Sequence, residues 1–161
     1  MRILRHAAML GLLLLGAATA MGPDWKPLEK GLQDAEAKRK YGFISVYTDW
    51  CGYCRKLESE TLRAQPVVDE LRKNFVSIKL NAESEDQVTW KGKKMTKRDL
   101  SAAWGVEGFP TMLFLNSKGE IIGSFPSFAD ADMMLDLLTY ISSGARERKV
   151  SFEDFLKKRP S

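Results

Sequence analysis

The only two cysteines of this 161-residue chain, Cys51 and Cys54, stand three positions apart. Two thiols at this spacing can close into a disulfide and open again with little movement of the rest of the chain. Residues 42–48, just before them, are β-branched and aromatic, which is typical of a buried strand, and residues 54–64 have helical character. The pattern therefore predicts a redox-active pair that performs dithiol–disulfide exchange.

Two other uses of the pair remain open. A structural disulfide closing a loop of four residues would stabilise the fold by only about 2 kcal/mol. A structural zinc site takes four ligands, usually Cys and His, and the single His of the chain is His6, so further ligands would have to come from a second subunit. Exchange chemistry is favoured over both, because the predicted helix places Cys51 at a helix N-terminus, where free N–H groups and the helix dipole stabilise a thiolate.

The spacing also predicts different roles for the two sulfurs. Cys51 precedes the helix and is expected to be exposed, so that its thiolate attacks a substrate disulfide. Cys54 lies one turn in and is expected to be more buried and to resolve the mixed disulfide. Trp50 is expected to shape the site beside the thiol, with a place in the core as the simpler alternative. Tyr53 is expected to point outward, pack on a substrate and tune the thiolate.

Composition argues against nucleic acid as a partner. The formal net charge is +4, but residues 1–20 contribute Arg2 and Arg5 and no acid, which leaves 23 basic against 21 acidic residues in the remainder. A balance of +2 is too weak for a nucleic-acid surface. The length favours one domain with a sizeable core.

The first twenty residues have the three-part pattern of a secretory signal peptide. Arg2 and Arg5 give a positive start, residues 7–17 form an apolar run, and residues 18–20 form a small-residue cleavage site. The run is shorter than the roughly 20 residues that span a bilayer, which disfavours the alternative of a membrane anchor. We expect cleavage before Met21, export to the periplasm, and a mature domain over residues 21–161.

Strand-like and helix-like segments alternate through the remainder, which predicts an α/β fold. The turn at 116–119 joins the last two strands and predicts a mixed sheet. Residues 82–96 are polar and rich in lysine, and we expect a surface insert with a hairpin at 88–95. The predicted helices are 25–40, 54–64, 66–74, 97–104 (capped by Thr96), 128–142 and a short tail helix at 152–156. The predicted strands are 42–48, 75–80, 111–115 and 120–125. Helix 128–142 carries its apolar residues on one side: Met133, Met134, Leu137, Leu138 and Ile141.

Two motifs carry a resemblance to a known family. Trp50-Cys51-Gly52-Tyr53-Cys54 follows one hydrophobic strand, and Gly108-Phe109-Pro110-Thr111 precedes another. Over residues 25–142 the chain resembles the thioredoxin superfamily, and its signal-peptide pattern, insert and tail helix resemble exported bacterial thioredoxin-like proteins of the SoxW-like type. The resemblance implies a thioredoxin fold: a central mixed sheet flanked by helices, with an insert before the cis-proline segment and an extra C-terminal helix.

The same resemblance implies roles for the motif residues. Pro110 would be the cis-proline that faces the cysteines, with an ordinary turn proline as the alternative. The backbone of Phe109 would pair with a bound substrate strand, and Trp50, Gly52 and Tyr53 would line the same groove. No cofactor is implied beyond the Cys51–Cys54 disulfide itself.

The chain departs from the family at Ser45. Thioredoxins proper carry a buried Asp at this position, six residues before the first cysteine, and it handles the proton of the second cysteine. Lys79 matches the family's lysine and is therefore expected to lack its acidic partner. Proton transfer would then move to water, Asp49 or Glu83, with Asp49 preferred by proximity and a merely solvated acid as the alternative. Residues 126–127 (Pro-Ser) replace a family glycine and are expected to narrow that side of the groove.

Three functions follow as hypotheses. The favoured one is a monomeric periplasmic reductase that takes electrons from a membrane donor and passes them to disulfides of protein substrates. A net oxidant or isomerase is the first alternative. It is less favoured because the dipeptide Gly52-Tyr53 offers no cation, whereas strong oxidants often carry a His there. A non-catalytic thioredoxin-fold binding or chaperone module is the alternative from another class.

Overall fold

The described part of the chain alternates between helices and strands, as the sequence predicts. The computed structural model describes residues 22–158, so the predicted signal peptide lies outside the described residues. In chain order the elements are α1 (Leu28–Lys38), β1 (Tyr41–Tyr47), α2 (Gly52–Lys56), a π-helical turn (Leu57–Thr61), α3 (Gln65–Asn74), β2 (Phe75–Asn81), β3 (Gln87–Trp90), β4 (Lys93–Thr96), α4 (Lys97–Ala103), β5 (Thr111–Leu115), β6 (Ile121–Phe125), α5 (Ala131–Ser142) and α6 (Phe152–Lys157).

Four of the strands form one mixed sheet in the order β2-β1-β5-β6. β1 pairs with β2 in parallel and with β5 antiparallel, and β6 pairs antiparallel with β5. The register places Ser45 of β1 between Lys79 of β2 and Met112 of β5. This is the thioredoxin fold, and the predicted mixed sheet flanked by helices is confirmed.

The sheet is covered on both faces by separate apolar clusters. Successive side chains of a strand point to opposite faces, so Phe43 of β1 belongs to one cluster while Ile44 and Val46 belong to the other. The Phe43 cluster is completed by the π-turn, α3 and α5, and the second cluster by α1, the insert and α4. Each large side chain buried in this way stabilises the fold by about 1.5–3 kcal/mol. The two layers hold the end of β1, where the cysteines follow, in a rigid setting.

Three helices differ from their predicted bounds. The helix predicted over 25–40 is shorter and spans Leu28–Lys38. The single helix predicted over 54–64 is instead α2 followed by the π-turn, which closes through the Leu62 N–H to the Leu57 carbonyl. The helix predicted from 128 begins only at Ala131, because the Asp130 side chain accepts the Met133 N–H and caps it there. Of the five apolar residues on one side of this helix, four are buried and Met133 is 36% exposed.

The insert forms its own small sheet. β3 and β4 pair as an antiparallel hairpin at the predicted place. The Thr96 hydroxyl then accepts the Asp99 N–H and caps α4, as predicted. The predicted tail helix is present as α6, whose Phe152 ring meets Tyr140 of α5. Within residues 22–158 no helix combines the length and the apolar character needed to cross a bilayer.

Candidate active site

Cys51 and Cys54 lie where β1 gives way to α2. Cys51 has an extended backbone and caps α2: its sulfur accepts the Cys54 N–H at 3.0 Å, and its carbonyl accepts the Arg55 N–H at 3.2 Å. The two cysteines are joined by a disulfide, with their Cα atoms 5.3 Å apart. In the reduced state the same N–H would donate to a thiolate at Cys51, which favours the charged form.

The expected difference in exposure between the two cysteines is wrong for this disulfide state. Cys51 is 4% exposed and Cys54 8% exposed, so both are buried and Cys51 is the less exposed of the two. The reason is local. The Cys51 sulfur turns inward, where it bonds to Cys54 Sγ and accepts the Cys54 N–H.

Trp50, which directly precedes Cys51 in the chain, forms an aromatic pair with Phe109. Their rings meet edge to face with centroids 6.0 Å apart, and the Trp50 indole N–H donates to Glu83 Oε1 at 3.0 Å. Trp50 is 66% exposed, so it is not a core residue. The Phe109–Pro110 peptide bond is cis, and Pro110 is buried directly before β5. Trp50 is therefore an exposed ring held in place by two neighbours.

Tyr53, which lies between the two cysteines in sequence, forms a second aromatic pair with Phe128. Tyr53 is 64% exposed, as expected for an outward-pointing residue, and its ring centroid lies 6.0 Å from that of Phe128. The Lys56 ammonium group lies 5.1 Å from the Phe128 centroid. Phe128 belongs to the loop before α5, and its contact with Tyr53 was not predicted, because the sequence pattern placed Phe128 in a helix. Gly52, which lies between the two cysteines in sequence, is exposed.

Asp49 is held by the last residue of β2 and by α2. Asn81 Nδ2 donates to Asp49 Oδ2 at 3.1 Å, and the Arg55 guanidinium donates to the Asp49 carbonyl at 2.9 Å. Asp49 itself is exposed. Asp49 is therefore open to solvent, and one of its carboxylate oxygens already accepts a hydrogen bond from Asn81.

Lys79 has an acidic partner after all. Its ammonium group forms an ion pair with Glu58 of the π-turn. The expectation that Lys79 lacks such a partner is wrong because the acid comes from the helix side, four residues after Cys54, and not from Ser45 on the neighbouring strand. Ser45 is 5% exposed and lies opposite Lys79 in the sheet. The sequence held one indication of this partner: Glu58 is an acid four residues after Cys54, a spacing that places two residues on the same side of a helix.

These groups meet around a pocket beside Cys54. It has a volume of about 220 Å³. One buried group on its wall, the Thr48 hydroxyl, has no hydrogen-bond partner among residues 22–158. The lining residues are Ser45, Tyr47, Thr48, Asp49, Cys54, Arg55, Glu58 and Lys79. The fold thus brings the predicted Cys54, Asp49 and Lys79 together, whereas Trp50 and Phe109 form a separate aromatic edge.

Comparison with known proteins agrees with this geometry. A family model described as "Thioredoxin-like domain" matches residues 28–142. A protein disulfide-isomerase from Datisca glomerata is 26% identical over 121 residues, which cover 75% of this chain and 22% of the plant protein. The matched segments cover between 15% and 26% of the length of such curated relatives.

Two solved structures share the fold. A thioredoxin-fold protein from Helicobacter pylori superposes with a TM-score of 0.63 at 21% identity, covering 80% of this chain and 89% of that one. A thioredoxin from Thermus thermophilus superposes with a TM-score of 0.65 at 20% identity, covering 80% and 94%. At these identities the likeness concerns the fold, and the chemistry has to be argued from the site.

Proposed function

This chain belongs to the thioredoxin-like domain family, and on that premise we propose that it is a thiol–disulfide oxidoreductase acting on disulfides of other proteins. The observation that carries the proposal is the Cys51–Cys54 disulfide at the start of α2, with the Cys54 N–H aimed at the Cys51 sulfur. A hydrogen bond of this kind stabilises the thiolate, which is the attacking species in exchange.

The reaction proceeds in two exchanges. The Cys51 thiolate attacks one sulfur of a substrate disulfide, the substrate S–S bond breaks, and one substrate thiolate leaves and takes a proton. The Cys54 thiolate then attacks Cys51 Sγ, the mixed disulfide breaks, and the second substrate thiolate leaves. The substrate gains two electrons, and the protein is left with the Cys51–Cys54 disulfide.

Exposed aromatic rings support a protein substrate. Trp50 and Tyr53 are the two most exposed large apolar side chains of the described residues; Trp50 directly precedes Cys51, and Tyr53 directly precedes Cys54. Rings that are large, rigid and partly polar are enriched where proteins bind other proteins. We assign Trp50, Tyr53, Phe109 and Pro110 to the groove, with Gly52 leaving room beside the sulfurs.

Net reduction is the direction we propose. Gly52-Tyr53 places no cationic side chain between the cysteines, so the reduced thiolate lacks one source of the stabilisation that makes an oxidant. Each turnover then needs two electrons, for which we propose a membrane-bound dithiol donor. The pattern of residues 1–20 supports the further proposal that the chain acts in the periplasm, and we propose that it does so as a monomer. N-terminal sequencing of the exported protein, expected to begin at Met21, tests the cleavage.

A second candidate, disulfide isomerisation, is favoured by the names of the curated relatives, several of which are protein disulfide-isomerases. The reduction potential separates the directions. Equilibration with glutathione is expected to give a value near that of thioredoxin, about −270 mV, whereas a value near −180 mV would favour isomerisation and one near −120 mV net oxidation.

Reduction of insulin disulfides by dithiothreitol tests the enzyme itself. The purified protein should accelerate the reaction, Cys51→Ser should abolish the acceleration, and Cys54→Ala should retain the first attack and accumulate mixed disulfides on Cys51. Full acceleration by Cys51→Ser would instead support the non-catalytic binding module.

A further inference from the structure

The second exchange needs Cys54 as a thiolate, and Ser45 cannot accept its proton in the way that a carboxylate does. We infer that Glu58, positioned by Lys79, is the group that receives the proton of Cys54 through water in the adjoining pocket. The inference rests on the proposed function and adds to it a proton acceptor that reaches the site from the helix side, opposite the strand that carries Ser45.

Helical spacing places the two residues on one side of the chain. Residues four apart on a helix are neighbours, with Cβ atoms about 5–6 Å apart. Cys54 of α2 and Glu58 of the π-turn have this separation, and both line the pocket of about 220 Å³. Glu58 is partly buried, with 36% of its side chain exposed, so water reaches it from outside.

The pocket is built to hold water. It is far larger than the volume of one water molecule, and a buried water needs two to four polar partners. Ser45, Glu58 and Lys79 line the pocket and supply such polar groups. A water between them can carry a proton from Cys54 to the Glu58 carboxylate.

Lys79 fixes the direction of the Glu58 side chain. Its ammonium group pairs with Glu58 and also lies over two rings, 4.7 Å from the Tyr47 centroid and 5.7 Å from that of Trp25. These contacts hold the long lysine side chain in one place, because a cation is attracted to the face of an aromatic ring. Lys79 is thus a positioning residue for Glu58.

The other titratable groups around the pocket come from three elements. Tyr47 and Asp49 lie on β1 and the loop after it, Arg55 lies on α2, and Lys79 lies on β2. Asp49 is the rival acceptor; each of the two acids has one oxygen engaged, Asp49 by Asn81 and Glu58 by Lys79, but Asp49 is exposed whereas Glu58 is partly buried. Glu58 is the acid on this wall that is paired with a cation and shares a helical face with Cys54.

In the proposed step the Cys54 S–H bond breaks, and its proton passes through water to a Glu58 oxygen. The Cys54 sulfur then forms the S–S bond with Cys51 Sγ as the bond from Cys51 to the substrate sulfur breaks. The departing thiolate takes a proton from solvent, and Glu58 returns its own to solvent. No oxidant beyond the substrate disulfide is needed.

Stopped-flow reaction of the reduced protein with dithiobis(nitrobenzoate) isolates this step. Attack by Cys51 releases one coloured thionitrobenzoate in a phase that depends on reagent concentration. Attack by Cys54 releases the second in a phase that does not. The parent protein is compared across the pH range with two variants, Glu58→Gln and Asp49→Asn. The matched control is Glu60→Gln, which replaces an exposed acid of the same π-turn.

For Glu58→Gln we expect an unchanged first phase, which also reports an intact site, and a second phase slowed about tenfold or more near neutral pH. The deficit should shrink as pH rises, because hydroxide then removes the Cys54 proton directly. Glu60→Gln and Asp49→Asn should leave the second phase close to that of the parent, and Lys79→Met should slow it less than Glu58→Gln does.

Charge alone predicts the opposite sign. If Glu58 acted only as a negative charge near Cys54, its replacement by Gln would favour the thiolate and accelerate the second phase. An unchanged or faster second phase in Glu58→Gln therefore overturns the inference while leaving the proposed function intact. A parent protein without either phase would overturn both.

Discussion

The Tyr53 ring, between the two cysteines, rests against Phe128 of the loop that precedes α5, with the ring centroids 6.0 Å apart. The contact joins two segments that are 75 positions apart in sequence. Phe128 is in turn covered by the Lys56 ammonium group. The exposed Tyr53 ring is therefore held by its contact with Phe128, which is in turn held by Lys56.

Removal of the Phe128 ring should weaken substrate binding. An aromatic pair is worth about 0.5–1.5 kcal/mol beyond its buried area, so we expect Phe128→Ala to raise KM for a protein disulfide roughly 2- to 10-fold. Its first phase with dithiobis(nitrobenzoate) should be unchanged, since that small reagent needs no groove. Met133→Ala removes an exposed apolar side chain elsewhere and is the control. Equal losses with both reagents would show that Phe128 supports the cysteines and not the substrate.

Glu83 is expected to act as a hydrogen-bond acceptor for Trp50, not as an acid or base. Glu83→Gln keeps an oxygen for the Trp50 indole N–H, whereas Glu83→Leu removes it. We therefore expect Gln to retain most of the insulin-reduction activity and Leu to lose several-fold through a higher KM, in keeping with about 0.5–1.5 kcal/mol for one hydrogen bond. If Gln and Leu lose activity equally, the charge of Glu83 matters, and its candidacy in proton transfer returns.

Local patterns predicted most of the elements correctly. The hairpin over 88–95, the Thr96 cap and the strand at 111–115 depend on neighbours in sequence, and the structure has all three. The positions of Cys51 and Cys54 at the start of a helix follow from the strand that precedes them. Short-range periodicity and capping were therefore sufficient to predict the helices and strands that position the two cysteines.

Contacts between distant segments were not predictable in the same way. Glu58 and Lys79 pair across 21 positions, and the pair depends on the π-turn, which has no signature in the hydrophobic pattern. The sequence pattern extends the predicted helix back to Phe128, whereas the Asp130 cap starts α5 later. The spacing of the cysteines does not reveal that Cys51 is buried in the disulfide.

Tyr41 should make the fold sensitive to alkaline pH. Desolvation raises the pKa of the Tyr41 phenol, and the nearby Glu147 carboxylate, which accepts its O–H at 3.2 Å, raises it further. The unfolded chain therefore loses this proton first, near pH 10, and the folded state holds more protons above that point. The free energy of unfolding should fall as pH rises past about 10 and up to the folded-state pKa.

Denaturant unfolding across this alkaline range, with the disulfide intact, measures the effect. Tyr41→Phe has no phenol proton to lose, so its free energy of unfolding should fall less steeply than that of the parent. Tyr53→Phe removes a hydroxyl from an exposed ring and should follow the parent. Lysines titrate in all three proteins alike, and their contribution cancels in the comparison. Identical slopes for Tyr41→Phe and the parent would contradict the prediction.

Gly31 is where α1 comes closest to β2. A Cβ added there would overlap Cγ1 of Ile78, a side chain that is completely buried. Overpacking of this kind costs about 1–3 kcal/mol, and the better helix propensity of Ala offsets about 1 kcal/mol of it. We therefore expect Gly31→Ala to lower the free energy of unfolding by up to about 2 kcal/mol, measured by denaturant titration, whereas Gln33→Ala on the exposed face of α1 should change it little.

A double-mutant cycle identifies the cause of that loss. Ile78→Ala leaves a cavity where the added methyl group would fit, so Gly31→Ala should cost less in that background than in the parent, with a coupling of at least about 0.5 kcal/mol. Additive losses would place the strain elsewhere in α1. β2 carries Lys79 one residue after Ile78. If Gly31→Ala displaces β2, it should therefore also slow the second phase of the reaction with dithiobis(nitrobenzoate). Adding Ile78→Ala, which relieves the clash, should restore the rate of that phase.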